Sequence, residues 1–94
     1  MSEVGLYLFL LVKIKLMFYT YILLLSNGQY YVGHTDDLKQ RFKYHQDGRV
    51  IATKGFRPLK LVFYAAFVTE MKAIKFEKYL KSSSGFAFRN KRLI

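Results

Sequence analysis

One hairpin narrows the folds open to this chain more than any other feature. Phe18–Leu25 is a run of β-branched, aromatic and aliphatic residues, Ser26-Asn27-Gly28 follows, and Gln29–Gly33 resumes the pattern. Asn-Gly between two such runs is a strong short-range hairpin signal, because both residues tolerate the positive φ that a tight reversal needs. Loop length then decides the register. A two-residue Asn27-Gly28 turn pairs Leu24 with Tyr31 and sends Tyr21 to the opposite face. A three-residue loop with a left-handed Gly28 pairs Leu23 with Tyr31, and Tyr21, Tyr31 and Gly33 then share a face. The bulged, longer loop is expected if the two tyrosines act together.

After the hairpin, Thr35, Asp36 and Asp37 supply N-cap oxygens. Leu38, Phe42 and His45 follow at i, i+4 and i+7 of a first helix, and Gly48 is suited to end it. Residues 49–58 read as a basic loop closed by the chain's only proline. Leu59–Val68 is apolar nearly throughout and is expected to be a central strand covered on both faces. Thr69 caps a second helix over Glu70–Lys81, residues 82–85 break it, and residues 86–94 form a short basic helix or tail. The order β-β-α-β-α-α describes a small α+β layer structure.

With 94 residues there is room for one domain. Residues 1–16 stand apart from it. The apolar stretch Val4–Val12 is nine residues long, against the ~20 that a spanning helix needs. Its only early charge is Glu3, the wrong sign for a signal peptide. This segment is expected to be an added strand, a tail, or a mis-called start upstream of Met17, with the domain proper over 17–94. No stable membrane association is expected, and the missing signal peptide and missing cysteines make the cytoplasm the default location.

Sixteen Lys and Arg against six Asp and Glu leave a net charge of +10. So cationic a surface attracts a polyanion, either nucleic acid or an anionic membrane face. The absence of cysteine excludes a disulfide framework, a thiolate zinc site and a cysteine nucleophile. Lys39, Lys43, Arg49, Lys54 and Arg57 are interleaved with aromatics and unbalanced by acids, which suits contacts to backbone phosphates.

Two charges break the helical pattern. Leu38, Arg41, Phe42 and His45 share one face of the first helix, so Arg41 stands on the packing side. Ala73, Ile74, Glu77 and Leu80 share a face of the second, so Glu77 stands among apolar neighbours. Such charges are costly unless paired or placed at the rim of a cleft. Either Arg41 and Glu77 form one semi-buried ion pair, or both border one cleft, Arg41 for a phosphate and Glu77 for a metal or a proton. His45, one turn beyond Arg41, reads either as a phosphate contact or as a histidine favoured by the helix C-terminal dipole. His34 reads as a surface or polar-cap residue at a strand end.

Tyr19-Thr20-Tyr21, then Tyr31-Val32-Gly33, then Arg41 eight positions after that glycine, then Glu77 on a later helix, resemble the GIY-YIG nuclease domain. The stretches YYVGHTDDLKQRF, ATKGFRPLKLVFY and FEKYLKSSSG extend the resemblance over Met17–Ile94, toward the small stand-alone members related to the N-terminal domain of the UvrC excinuclease subunit. It implies a three-stranded antiparallel sheet flanked by helices. It also implies metal-dependent hydrolysis of phosphodiester bonds with a single divalent ion, Mg²⁺ or Mn²⁺. Tyr21 and Tyr31 would be the motif tyrosines, one orienting or deprotonating the attacking water, and Gly33 the motif glycine. Arg41 would stabilise charge on the phosphate oxygens, with His45 beside it, and Glu77 would be the sole protein ligand to the metal. Tyr19 departs from the pattern where the name-giving glycine would be, His34 where some relatives carry a catalytic lysine, and Phe86 where relatives frequently carry a basic residue. DNA is expected before RNA. With no reader domain attached, shape or flexible ends are expected to direct cleavage rather than a long base sequence. The alternative is a nucleic-acid-binding module that keeps the cleft with weak or no catalysis.

Overall fold

In the computed structural model, which describes residues 3–6, 8 and 17–94, the domain runs β1 (Phe18–Leu24), β2 (Tyr30–Thr35), α1 (Leu38–Gln46), α2 (Ile51–Lys54), β3 (Lys60–Phe67), α3 (Glu70–Lys81) and α4 (Ser83–Arg92). The strands form one antiparallel sheet in the order β2-β1-β3, so the expected α+β architecture is the one observed.

The hairpin takes the longer loop. Gly28 has φ +82°, its N–H donates to the Leu25 carbonyl at 3.0 Å, and the Leu25 N–H donates to the Gln29 carbonyl at 2.8 Å. That closing pair brackets three residues. Leu23 therefore faces Tyr31 and Tyr21 faces Gly33, which puts both tyrosines on one side of the sheet.

Helix α1 starts where Asp37 accepts from the Gln40 N–H at 3.1 Å. It ends at Gly48, φ +77°, where the Arg49 N–H reaches the Tyr44 carbonyl at 2.9 Å and the Gly48 N–H the His45 carbonyl at 3.2 Å. A left-handed residue after the helix satisfies its last carbonyls in this way. The basic segment expected as a loop contains one helical turn, α2.

The expectation for the third strand needs correcting, because β3 is an edge strand and β1 is central. An unbroken apolar run does not say how many neighbours a strand has. From Phe63 onward half-buried and exposed residues alternate along β3, the signature of one covered face. Its register with β1 also slips: Ile22 faces Phe63 and Leu23 faces Leu61, leaving Val62 as an extra, bulged residue.

Each face of the sheet has its own core. Tyr21, Leu23, Leu25 and Leu59 pack with Leu38 and Phe42 of α1. On the other face Ile22, Val32 and Leu80 pack with Phe63, Phe76 and Leu93. The Thr20 hydroxyl donates to the Ala73 carbonyl at 2.7 Å and ties β1 to α3.

Thr69 caps α3 through the Lys72 N–H at 3.2 Å. The break expected at 82–85 narrows to one residue: Ser82 ends α3 and its hydroxyl accepts from the Gly85 N–H at 3.2 Å to cap α4. Gly85 lies against the Tyr79 carbonyl, where a β-carbon would collide with backbone. Residues 3–6 and 8 have helical backbone. The remainder of the extension expected over 1–16, as an added strand or tail, lies outside the described residues. Among the described residues no helix is long and apolar enough to cross a membrane.

Candidate active site

The hairpin register and the face of α1 bring Tyr21, Tyr31, Arg41 and His45 together. Tyr21 is buried in the sheet, and its ring lies against those of Tyr31 and His45, with centroids 6.3 Å and 5.6 Å away. Gly33 makes room for it. A β-carbon on Gly33 would lie 2.6 Å from the Tyr21 hydroxyl oxygen, 2.7 Å from its Cζ and 3.1 Å from Cε1 of Tyr31. The motif glycine is therefore required by close approach, since its own φ is ordinary.

Strand β2 is an edge, and Glu77 lies on the sheet face opposite the tyrosine pair. His34 alternates to the face that α3 covers, where its Nδ1 lies 2.8 Å from Oε2 of Glu77. Lys81 Nζ holds the other carboxylate oxygen at 3.3 Å. Glu77 keeps 16% of its side chain exposed, and its charge is felt by Tyr21 across the edge.

The ion pair that the sequence left open is not formed: among the described residues Arg41 does not pair with Glu77. Its guanidinium lies beside the Tyr21 and Tyr31 hydroxyls, which favour its charged form, and its Nε is buried with no acceptor. A buried donor left unsatisfied costs about 1–3 kcal/mol. The hydrogen bond to Tyr21 raises the Arg41 pKa above its ordinary value. Burial pushes the Tyr21 hydroxyl up to about 12, against the pull of the neighbouring Arg41.

His45 is fully buried, so it is not the charged helix end that one of its two readings expects. Its Nε2 lies 2.8 Å from the Tyr21 hydroxyl and its Nδ1 2.7 Å from Oγ1 of Thr53. Burial lowers its pKa to about 4, and the Arg41 charge adds to the effect. The ring is therefore neutral near pH 7, with one nitrogen donating and the other accepting. The Thr53 hydroxyl also lies 3.5 Å from the Val50 carbonyl. Tyr21 and Thr53 thus occupy both ring nitrogens, one as hydrogen-bond donor and one as acceptor.

This network gives stability a pH dependence with a definite sign. The unfolded His45 protonates near its ordinary 6.5 while the folded ring resists down to about 4. The unfolded state therefore binds the extra proton in that window. Stability should fall by on the order of 3 kcal/mol as pH drops from 6.5 to 4. Tyr21 acts at the other end: the unfolded hydroxyl ionises near 10 and the folded one near 12, so stability falls again as pH rises through that range. Urea denaturation from pH 4 to 11 should show a plateau between 6.5 and 10, and a His45→Gln variant should lose the acid limb alone.

Thr53 and His34 are the partners that sequence reasoning missed. Thr53 belongs to a non-periodic basic segment and carries no pattern of its own. The packed position of His45 on α1 was the one available hint that the ring needed a partner. Of the basic residues, Lys39 and Lys43 are exposed one turn apart on α1 and Lys54 is exposed at the end of α2. The Arg49 guanidinium lies 5.2 Å over the Tyr44 ring. Arg57 does something else with its donors, reaching the Lys54 carbonyl at 3.1 Å and the Gln46 carbonyl at 3.2 Å. It packs on Gly48 and staples the α1–α2 corner. Among the described residues both ion pairs end on Glu77, so the other cations keep their charge available. A hollow of about 910 Å³ lies between the start of α1 and strands β1 and β3.

Residues 17–92 match the family model described as the GIY-YIG catalytic domain. The UPF0213 protein YazA of Bacillus subtilis is 37% identical over 62 residues, 65% of this chain. A UPF0213 protein of Streptococcus agalactiae is 33% identical over 72 residues, covering 76% of this chain and 82% of that protein. The match spans 63% of YazA and 65% of a UPF0213 protein of Streptococcus pneumoniae. The solution NMR structure of a UPF0213 protein from Bacillus halodurans superposes with a TM-score of 0.52 at 30% identity, over 82% of this chain and 86% of that one. The order of strands and helices, the tyrosine pair over Gly33 and the match over 17–92 agree, and the chain belongs to the GIY-YIG catalytic domain family, among the UPF0213 proteins.

Proposed function

We propose that the protein is a divalent-metal-dependent endonuclease that hydrolyses phosphodiester bonds in DNA, choosing its sites by nucleic-acid structure rather than by sequence. One observation carries this reading: Arg41 stands beside two tyrosine hydroxyls and, among the described residues, has no carboxylate paired with it, so its charge is not neutralised. A purely structural arginine at such a place is normally paired with an acid.

The chain's own groups divide the work. The Arg41 guanidinium stabilises charge growing on the non-bridging phosphate oxygens. With its proton directed to His45 Nε2, 2.8 Å away, Tyr21 offers the attacking water its oxygen lone pairs. Proton transfer onward from Tyr21 to His45 is not the driving step. With values of about 12 and about 4, that transfer costs on the order of 10 kcal/mol. His45 and Thr53 therefore fix the direction of the Tyr21 hydroxyl, and Tyr21 orients the water. Tyr31 fixes Arg41 from the second side.

Glu77 would hold the metal. Among the described residues no cluster of three or more His, Cys, Asp or Glu exists, and Mg²⁺ is content with one carboxylate when waters and a substrate phosphate complete its shell. When bound, such an ion supplies Lewis-acid polarisation of a phosphate oxygen. The donors present fit. Lys81 is an exposed i,i+4 partner whose contact is worth only ~0.3–0.5 kcal/mol, so it yields its oxygen easily. The His34–Glu77 contact favours the second reading, a nucleic-acid-binding module, if that pair keeps the carboxylate from a metal.

The test is cleavage of labelled single-stranded, duplex and branched DNA and of RNA, with Mg²⁺, Mn²⁺ or EDTA, by wild type and Glu77→Gln. Metal-dependent nicking by wild type, reduced at least ~100-fold in Glu77→Gln, supports the nuclease. Tight binding without cutting, unchanged in Glu77→Gln, leaves the binding module.

A further inference from the structure

A second cation, on the sheet face opposite the tyrosine pair, is buried without an acid partner among the described residues. Arg89 of α4 is 7% exposed, and among the described residues both ion pairs end elsewhere, on Glu77. Its guanidinium carbon lies 4.4 Å from the ring centroid of Phe86 and 5.2 Å from that of Tyr30, and its Nε donates to Oδ1 of Asn90 at 3.1 Å. Ring faces attract a cation but leave most of its charge uncompensated. Arg89, Tyr30, Phe86, Gln29, Asn90 and Ile94 line a hollow of about 580 Å³, a volume within the roughly 300–1,000 Å³ of small-ligand sites. No Asp or Glu side chain is among these lining residues. Phe86 is 51% exposed, an unusual state for a phenylalanine beside a preorganised cation.

We propose that this hollow binds one nucleotide of a single-stranded nucleic acid, with a backbone phosphate on Arg89, the base against the Phe86 ring, and the side-chain amides of Gln29 and Asn90 available to base edges. The proposal rests on the nuclease reading and specifies which substrates it acts on. Tyr30 opens β2 and His34 is four residues along it, so at about 3.4 Å per residue the hollow lies roughly 13 Å from the Glu77 side of the site. That separation is short enough for one strand to touch both. A base inside a duplex has its faces covered by its neighbours and cannot stack on Phe86. Recognition at this position therefore selects a single strand, an overhang or a flap.

Fluorescence anisotropy in EDTA measures the binding without turnover. The probes are a labelled 12-nucleotide single strand, the matching blunt duplex, and unlabelled dAMP as competitor. The proteins are the full chain as wild type, Phe86→Ala and Arg89→Lys, each checked for an unchanged circular dichroism spectrum. Phe86→Ala is expected to weaken single-strand binding roughly 5- to 150-fold, the effect of losing one base–aromatic stack, and to leave duplex binding within about twofold. Arg89→Lys keeps the charge but loses the planar fork, and is expected to weaken the single strand as well. Unchanged single-strand affinity in Phe86→Ala, or equal losses for strand and duplex, overturns the proposal. So does dAMP that binds as tightly as the 12-mer, which would make this a site for a free nucleotide. The two readings fail separately: cutting lost in Glu77→Gln with Phe86→Ala binding normally removes only this site. A Phe86-dependent strand that no metal allows to be cut removes only the nuclease.

Discussion

Arg41→Ala is expected to lower the single-turnover rate of phosphodiester cleavage by roughly 10²–10³-fold, with a much smaller effect on substrate affinity. Its charge is one of many cations on this surface for ground-state attraction, but it is the one whose orientation two hydroxyls determine. The loss should therefore fall on the chemical step. Arg41→Lys should recover little, because an ammonium cannot reach both tyrosine oxygens and a phosphate with fixed geometry. The substitution also reports on its neighbours. The Arg41 charge holds down both Tyr21 and His45, so NMR titration of the variant should find the His45 pKa moved up from about 4. A loss confined to affinity, with the rate at saturation intact, would reduce Arg41 to one more phosphate contact.

Gly33→Ala should do comparable damage to catalysis and add a cost in stability of about 1–3 kcal/mol, the range for an overpacked core. The added carbon would lie 2.6 Å from the Tyr21 hydroxyl oxygen. Tyr21 has nowhere to retreat, being buried and bonded at 2.8 Å to a histidine that is itself held by Thr53. Relief must come from moving the phenol off its partner or the edge strand off its neighbour, and either disturbs the oxygen that orients water. Gly55 provides the control. Its φ is −81° and nothing lies within 4 Å of a β-carbon there, so Gly55→Ala should stay within about 0.5 kcal/mol of wild type. Urea denaturation and single-turnover cleavage of the two variants separate the effects. If Gly33→Ala behaves like Gly55→Ala, the close packing of tyrosine on glycine has no functional weight.

How much of this could be read from residues alone depended on whether a signal was local. The loop Ser26-Asn27-Gly28 announced a hairpin from a few positions but allowed two registers, and the left-handed Gly28 of the three-residue turn selects the one that brings Tyr21 and Tyr31 together. The caps at Asp37 and Thr69 were legible for the same reason. The edge position of β3 was not, since the hydrophobicity of a strand records how much of it is covered and not which strands flank it. Arg41 and Glu77 announced themselves by standing on apolar helix faces. Their partners did not: His34 meets Glu77 over 43 positions of sequence, and only the packing of α3 on β2 brings them together. The state of His45 was half legible. Its place on the packed face of α1 pointed inward, but a neutral ring required knowing that Thr53 and Tyr21 would occupy both nitrogens.

The bulge in β3 bears on how the protein behaves in crowded solution. Leu61–Phe67 is seven residues with no charge, proline or glycine, the composition from which cross-β stacks are built, and it forms the open rim of the sheet. Val62 interrupts the ladder there, so an approaching strand finds a twisted, broken row of donors and acceptors. Electrostatic repulsion between copies carrying +10 charge adds a longer-range barrier. A bound polyanion cancels that repulsion locally, which leaves one displaced valine as the short-range guard against fibrous self-association wherever many copies gather on a single nucleic acid.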